Sequence, residues 1–251
     1  MNPFLRQPRR GRSIHWGPTM SDYTLYYWPV PFRGQFIRAL LAFSGRSWDE
    51  VDEAAISALM VGPVLEMPVP FMGPPVLVDR VSSFAVAEMP AIVLYLGETL
   101  DLLPLAPGLR ALTMKVVCDA NDVLDEITLD GGREMWTEES WRKFEPRLAK
   151  WMGLWEELGL RHGLAADAGF LLGGDEAGVA DVVTATLWST VAERFPRIDN
   201  LLREAAPLTA ALVRRVAALP ALAELAARAR HDYGDAWCGG KVEESLRRSM
   251  L

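Results

Sequence analysis

The chain has 251 residues, 50% of them apolar, and its 33 acidic and 26 basic residues give a formal charge of −7. That apolar content is enough for a sizeable core in one large or two small domains and excludes a disordered or fibrous chain. The charge is unevenly placed. Residues 1–21 hold Arg6, Arg9, Arg10 and Arg12 and no acid, so the rest carries 22 basic against 33 acidic residues, a balance that argues against nucleic acid as a partner.

The Arg-, Pro- and Gly-rich stretch 1–21 reads as a disordered basic tail without the apolar core of a secretory signal. Met20 is an alternative start, and a short organellar leader is the other reading. Apolar runs such as Ala91 to Leu96 are too short to cross a bilayer, so no membrane span is expected. Cys118 and Cys238 show no CxxC spacing, and His15, His162 and His231 are not paired at ligand spacing. No metal site is expected, and a reducing cytoplasm fits the cysteine usage.

The aromatic and β-branched run Tyr23 to Trp28, stopped by Pro29, reads as a buried strand with Tyr26 and Tyr27 on opposite faces. Phe36, Ile37, Leu40 and Leu41 then recur at helical spacing, and Trp48 to Val51 reads as a second strand. The Met- and Pro-loaded stretch 54–73 reads as irregular. Val76 to Val78, a turn at Asp79-Arg80 and Phe84 to Val86 suit a hairpin, after which Pro90 opens a helix to about Leu100. The order βαβ then ββα is that of a thioredoxin-like α/β unit, though other α/β modules share parts of it.

Leu103 to Gly108 reads as a linker, and no strand signal follows it. Trp141, Phe144, Leu148, Trp151, Trp155 and Leu158 fall on one helical face, as do Val179, Val182, Val183, Leu187, Trp188 and Val191. Further Ala- and Leu-rich turns, broken at Pro220, complete a bundle. The expected organisation is a tail over 1–21, an α/β domain over 22–102, an all-helical domain over 103–232 and a loose C-terminal tail over 233–251, with closure over the cleft as the alternative for that tail.

Four local patterns occur in order: Leu25-Tyr26-Tyr27-Trp28 with Ile37-Arg38 beyond it; Pro74-Pro75-Val76-Leu77-Val78-Asp79; Glu88-Met89-Pro90-Ala91-Ile92 through Tyr95-Leu96; and Gly178-Val179-Ala180-Asp181 opening a helix. Together they span roughly Tyr23 to Ala227 and resemble the cytosolic glutathione S-transferases, particularly the tyrosine-using mu- and sigma-like bacterial types. The resemblance implies a thioredoxin-like N-terminal domain joined to an all-α helical bundle. It also implies a cytoplasmic homodimer that joins the glutathione thiolate to a small apolar electrophile in detoxification, with glutathione as substrate and no metal.

By position, Tyr27 would donate its hydroxyl to the glutathione sulfur and favour the thiolate, with Tyr26 on the opposite face turned into the core; as a residue pattern alone Tyr27 also reads as a core aromatic. Pro75 stands in the family's cis-proline slot, where the backbone of the preceding Pro74 would pair with the cysteinyl part and Trp28 and Val76 would also contact glutathione; read alone, Pro74-Pro75 is also a rigid structural turn without a ligand. Glu88 and Met89 stand where a Gln/Glu-Ser pair holds the γ-glutamyl end at a helix N-terminus, although Glu88 read alone is also an ordinary dipole partner. Arg33 is either a ligand cation or a surface charge. Cys118 and Asp122 would border the electrophile pocket or be ordinary solvated groups, and acidic neighbours should raise the Cys118 pKa. Asp181 keeps half of a helix capping box, a structural role.

Three departures define the alternative, a transferase-fold binding or scaffold protein without ordinary glutathione chemistry. Pro74 has no N–H to donate, Met89 has no hydroxyl, and Ser47 to Asp79 contains no Lys or Arg for the glycyl carboxylate.

Overall fold

The computed structural model describes residues 21–250, so the expected disordered tail, Ser21 apart, and the Met20 start lie outside the described residues. The aromatic run forms β1 (Tyr23–Tyr26), which ends two residues earlier than the sequence suggests. It pairs in parallel with β2 (Trp48–Val51) and antiparallel with β3 (Val76–Asp79), which pairs antiparallel with β4 (Phe84–Ala87), giving the order β2-β1-β3-β4. Tyr26 lies opposite Val76, and Val76 lies opposite Ala87. Tyr27, Pro75 and Glu88 therefore all leave the sheet at one end. That register, more than any single motif, assembles the candidate site.

Alternation places Tyr23, Leu25 and Tyr27 on the buried face, while Tyr26 is only half-buried. The expectation that Tyr26 belongs to the core is thus reversed. Helix α1 (Phe32–Phe43) buries Phe36, Ile37, Leu40 and Leu41 and packs against α3 (Met89–Thr99), whose Ile92, Val93 and Leu96 are also buried. The stretch read as irregular contains α2 (Glu53–Val61) and a single 3-10 turn at Val64–Glu66. Asp52 starts α2 by accepting the Ala55 N–H at 2.9 Å, and of its residues only Ile56 is buried. The prolines that mask it in sequence all follow its end.

Beyond the sheet lie α4 (Pro107–Ile127), α5 (Leu129–Gly132), α6 (Glu138–Arg161), α7 (Val179–Ala192), α8 (Pro196–Ala205), α9 (Pro207–Ala217), α10 (Pro220–Tyr233) and α11 (Gly240–Ser249). Four of them open on proline, which has no N–H to leave unpaired in the first turn. The core joins Trp155 of α6 to Trp188 of α7, ring centroids 5.5 Å apart, and the Trp155 indole N–H donates to Thr184 at 3.0 Å. Asp181, 4% exposed, accepts the N–H groups of Gly178 at 3.0 Å and Leu171 at 2.7 Å.

The C-terminal segment is not a loose tail. Trp237 and Leu246 are buried, and α11 packs against α6. The architecture is a thioredoxin-like α/β unit followed by a helical bundle. No helix among the described residues is long and apolar enough to cross a membrane.

Candidate functional site

Tyr27 is 4% exposed and its ring packs against Gly34, where a Cβ would stand 2.2 Å from Tyr27 Cδ1. Its hydroxyl oxygen accepts the backbone N–H of Arg33 at 3.0 Å, and no acceptor among the described residues takes its proton. Burial pushes the phenol up to about 12, although the charges of Arg33 and Arg38 and the N–H groups of Arg33 and Gly34 pull the other way. At neutral pH Tyr27 is therefore a hydrogen-bond donor and not a base.

The loop that follows is pinned from two sides. Arg38, 2% exposed, donates to the carbonyls of Val30 at 2.8 Å and Trp28 at 3.3 Å and grips Glu50 of β2 through two bonds of 2.8 and 2.6 Å. The Arg33 guanidinium turns to α4, where it bonds Asn121 at 3.1 Å and pairs with Asp125. Its cation is committed to the helical part rather than held free for a ligand.

The Pro74–Pro75 bond is cis, and the Pro75 carbonyl accepts the Glu88 N–H at 3.2 Å. Glu88 is exposed and held at φ +73°, ψ 125°, a conformation that costs a non-glycine residue about 1–3 kcal/mol. Met89 is fully buried, so its side chain belongs to the core. Pro75 and Val76 are buried, while Trp28 and Pro74 are partly exposed.

Cys118 and Asp122 are exposed on α4, the helix that Arg33 reaches. Burial, Asp122 and Asp119 push the Cys118 thiol up, and burial followed by Asp119, Asp125 and Glu126 raises Asp122. Neither has the cationic surroundings of a nucleophile. No group of His, Cys, Asp and Glu able to hold a metal occurs among the described residues.

Residues 112–249 match the family model described as glutathione S-transferase, C-terminal domain. The chain belongs to the glutathione S-transferase family. Among solved structures, this transferase-family chain is similar to NaGST-2, with a TM-score of 0.67 and 24% identity, over 83% of this chain and 97% of that one. It is also similar to monomeric Na-GST-3, a glutathione S-transferase from the human hookworm Necator americanus, with a TM-score of 0.67 and 22% identity over 82% and 96% of the two chains. NaGST1 gives 0.67 and 19%, over 83% and 97%. No curated protein matches the chain in sequence. At these identities the structural likeness speaks for the fold.

Two cavities of this glutathione S-transferase family chain lie away from Tyr27. One of about 200 Å³ is lined by Gln35 of α1, Ser189 and Thr190 of α7 and Ala226 of α10; the other, about 710 Å³ and largely apolar, runs along Leu102, Leu103, Phe170 and Leu172. Neither is lined by Tyr27, Pro75 or Glu88, so the unspent donor and the strained residue, and not cavity size, mark the candidate site. Sequence reasoning missed Asn121 and Phe32, and placed Trp237 in a segment whose folding over the cleft was only the alternative to a loose tail. The Trp237 carbonyl accepts the Phe32 N–H at 3.1 Å, and their rings meet edge to face at 5.2 Å. The run Trp237-Cys238-Gly239-Gly240 carries the signal for that alternative.

Proposed function

We propose that the protein is a tyrosine-type glutathione transferase, mu- or sigma-like, that binds reduced glutathione across the sheet end and adds its thiolate to a small apolar electrophile. The observation that carries this reading is the Tyr27 hydroxyl, which accepts the Arg33 N–H and keeps its own proton unspent. A donor in a buried setting favours thiolate over thiol and lowers the barrier to attack at neutral pH. With an aryl halide the sulfur forms the new C–S bond, halide leaves with the electron pair of the broken bond, and the thiol proton goes to water.

Trp28, the Pro74 carbonyl and the backbone of Val76 would flank the cysteinyl part, with Pro75 shaping the turn. Glu88 would take the γ-glutamyl amino group, and the N–H groups opening α3 at Met89 its carboxylate. Arg33 acts through its backbone, and Cys118 and Asp122 border the electrophile. Asp181 serves the fold. A cytoplasmic, metal-free homodimer fits this reading. Val61 at the end of α2, with Leu65 and Met72 between α2 and β3, 88%, 98% and 92% exposed, supply apolar surface for the partner copy.

A second reading, a scaffold or binding protein of this fold, is favoured by the commitment of Arg33 to Asp125 and by the absence of Lys and Arg from 47–79. Calorimetry with reduced glutathione and a chromogenic aryl halide assay separate the two. Binding at or below about millimolar with turnover supports the transferase, since KM values of working enzymes lie in that range. No heat and no turnover would leave the scaffold.

A further inference from the structure

The N–H of Phe32 opens α1, where first-turn donors have no partner within the helix, and the preceding Pro31 offers no side-chain acceptor. The acceptor comes from the far end of the chain, as the Trp237 carbonyl. Phe32 is itself held at φ +20°, so this contact fixes a backbone that would otherwise relax. Its neighbour Arg33 supplies the N–H that the Tyr27 oxygen accepts.

Three N–H groups of the turn that presents the Trp237 carbonyl converge on one carboxylate, and the turn's Ala236 and Asp235 carbonyls accept Arg194 at 2.7 Å and Arg247 at 2.5 Å. Glu243, 6% exposed, accepts on a single oxygen the N–H groups of Trp237 at 2.9 Å, Cys238 at 2.9 Å and Gly239 at 2.6 Å. Its other oxygen takes Arg247 at 2.6 Å. A helix cap needs only the Gly239 N–H; the two earlier donors lie outside α11 and serve the turn. Burial pushes the Glu243 carboxyl up, but Arg247 and the three N–H groups outweigh it and keep the group ionised.

We propose that Glu243 is a positioning residue for the thiol site: it holds the 237–239 turn against Phe32, and so fixes the Arg33 N–H that makes the Tyr27 hydroxyl a stronger donor. A hydrogen bond accepted by a hydroxyl strengthens the one it donates, which is the means of transmission. The catalytic part of this inference rests on the transferase reading above; the clamp itself does not.

The test compares wild type, Glu243→Gln and Arg247→Gln. The last loses the ion pair and the Arg247 bonds to the Asp235 and Arg194 carbonyls but keeps the three N–H bonds. In Glu243→Gln, amide exchange at Phe32 and Arg33 should quicken, kcat/KM for the aryl halide should fall roughly tenfold, and its acid limb should move to higher pH. Arg247→Gln should lose thermal stability and leave the acid limb in place. Should Glu243→Gln not fold, Gly239→Ala loosens the same turn, where φ is +75°, and takes the same readouts. Wild-type exchange at Phe32 in these variants overturns the clamp. Faster exchange with an unmoved acid limb overturns the catalytic role. Wild type that binds no glutathione overturns the transferase reading and the catalytic role with it, while the exchange readout still decides the clamp.

Discussion

Arg33 joins two halves of the molecule: its backbone N–H donates to the Tyr27 hydroxyl at 3.0 Å while its guanidinium bonds Asn121 of α4 at 3.1 Å. The phenol is thereby oriented by the helical part as well as by its own strand. In this arrangement the hydroxyl oxygen is occupied by an amide donor while its own proton has no acceptor among the described residues.

Tyr27→Phe should lower kcat/KM for an aryl halide roughly 10- to 100-fold, the factor expected for losing one hydrogen bond to an anionic sulfur. The acid limb of the rate profile should move to higher pH, and glutathione affinity should change less than turnover. The Arg33 N–H loses its acceptor, so stability should also fall by about 1–3 kcal/mol. Equal turnover in the two proteins would remove Tyr27 from the chemistry.

Gly34→Ala tests the same ring from behind. The new Cβ would stand 2.2 Å from Cδ1 and 2.6 Å from Cγ of Tyr27, so the ring, boxed into a nearly closed site, must move. Denaturant unfolding should show a loss of about 1–3 kcal/mol, with turnover reduced because the hydroxyl is displaced. A variant as stable and active as wild type would mean that the ring is not held where it is described.

The strands, the hairpin and the long helical faces were legible because burial imprints its own period: Leu25 and Leu77 on strands, Leu148 and Trp155 on a helix. Helix α2 was not, since a mostly exposed helix leaves little periodic trace and the prolines at 63, 68 and 70 drew the whole stretch toward loop. Tyr26 was misplaced because alternation fixes that neighbours face apart but not which face meets the core. Tyr27, Pro75 and Glu88 could be named as candidates from pattern, yet their meeting at one sheet end depends on the register of three strands. The pairing of Trp237 with Phe32 joins the two ends of the chain, and no local spacing encodes that.

The apolar side chains Leu65 and Met72 predict a dimer through the segment between α2 and β3. Covering each such side chain stabilises by about 1.5–3 kcal/mol. Wild type should sediment as a dimer at micromolar concentration, and Leu65→Glu with Met72→Glu should yield a folded monomer. A monomeric wild type, as Na-GST-3 is described, would leave that surface for another partner.

Acid stability should depend on the Arg38–Glu50 pair. Burial pushes the Glu50 carboxyl up, but the hydrogen bonds and charge of Arg38 outweigh it and hold the group below its ordinary value of 4.5. A carboxyl depressed in the folded state contributes stability that is complete above its unfolded pKa and is lost as pH falls through the folded one. Wild-type unfolding free energy should therefore decline below about pH 4.5, and Glu50→Gln should show a shallower decline. At neutral pH the variant should lose roughly 3 kcal/mol, because Arg38 stays buried without its counter-charge. Turnover should fall as well, since the carbonyls of Trp28 and Val30 hang on the same guanidinium. Denaturant titrations of both proteins across that pH range decide the matter: parallel curves would show that the pair contributes nothing to acid sensitivity.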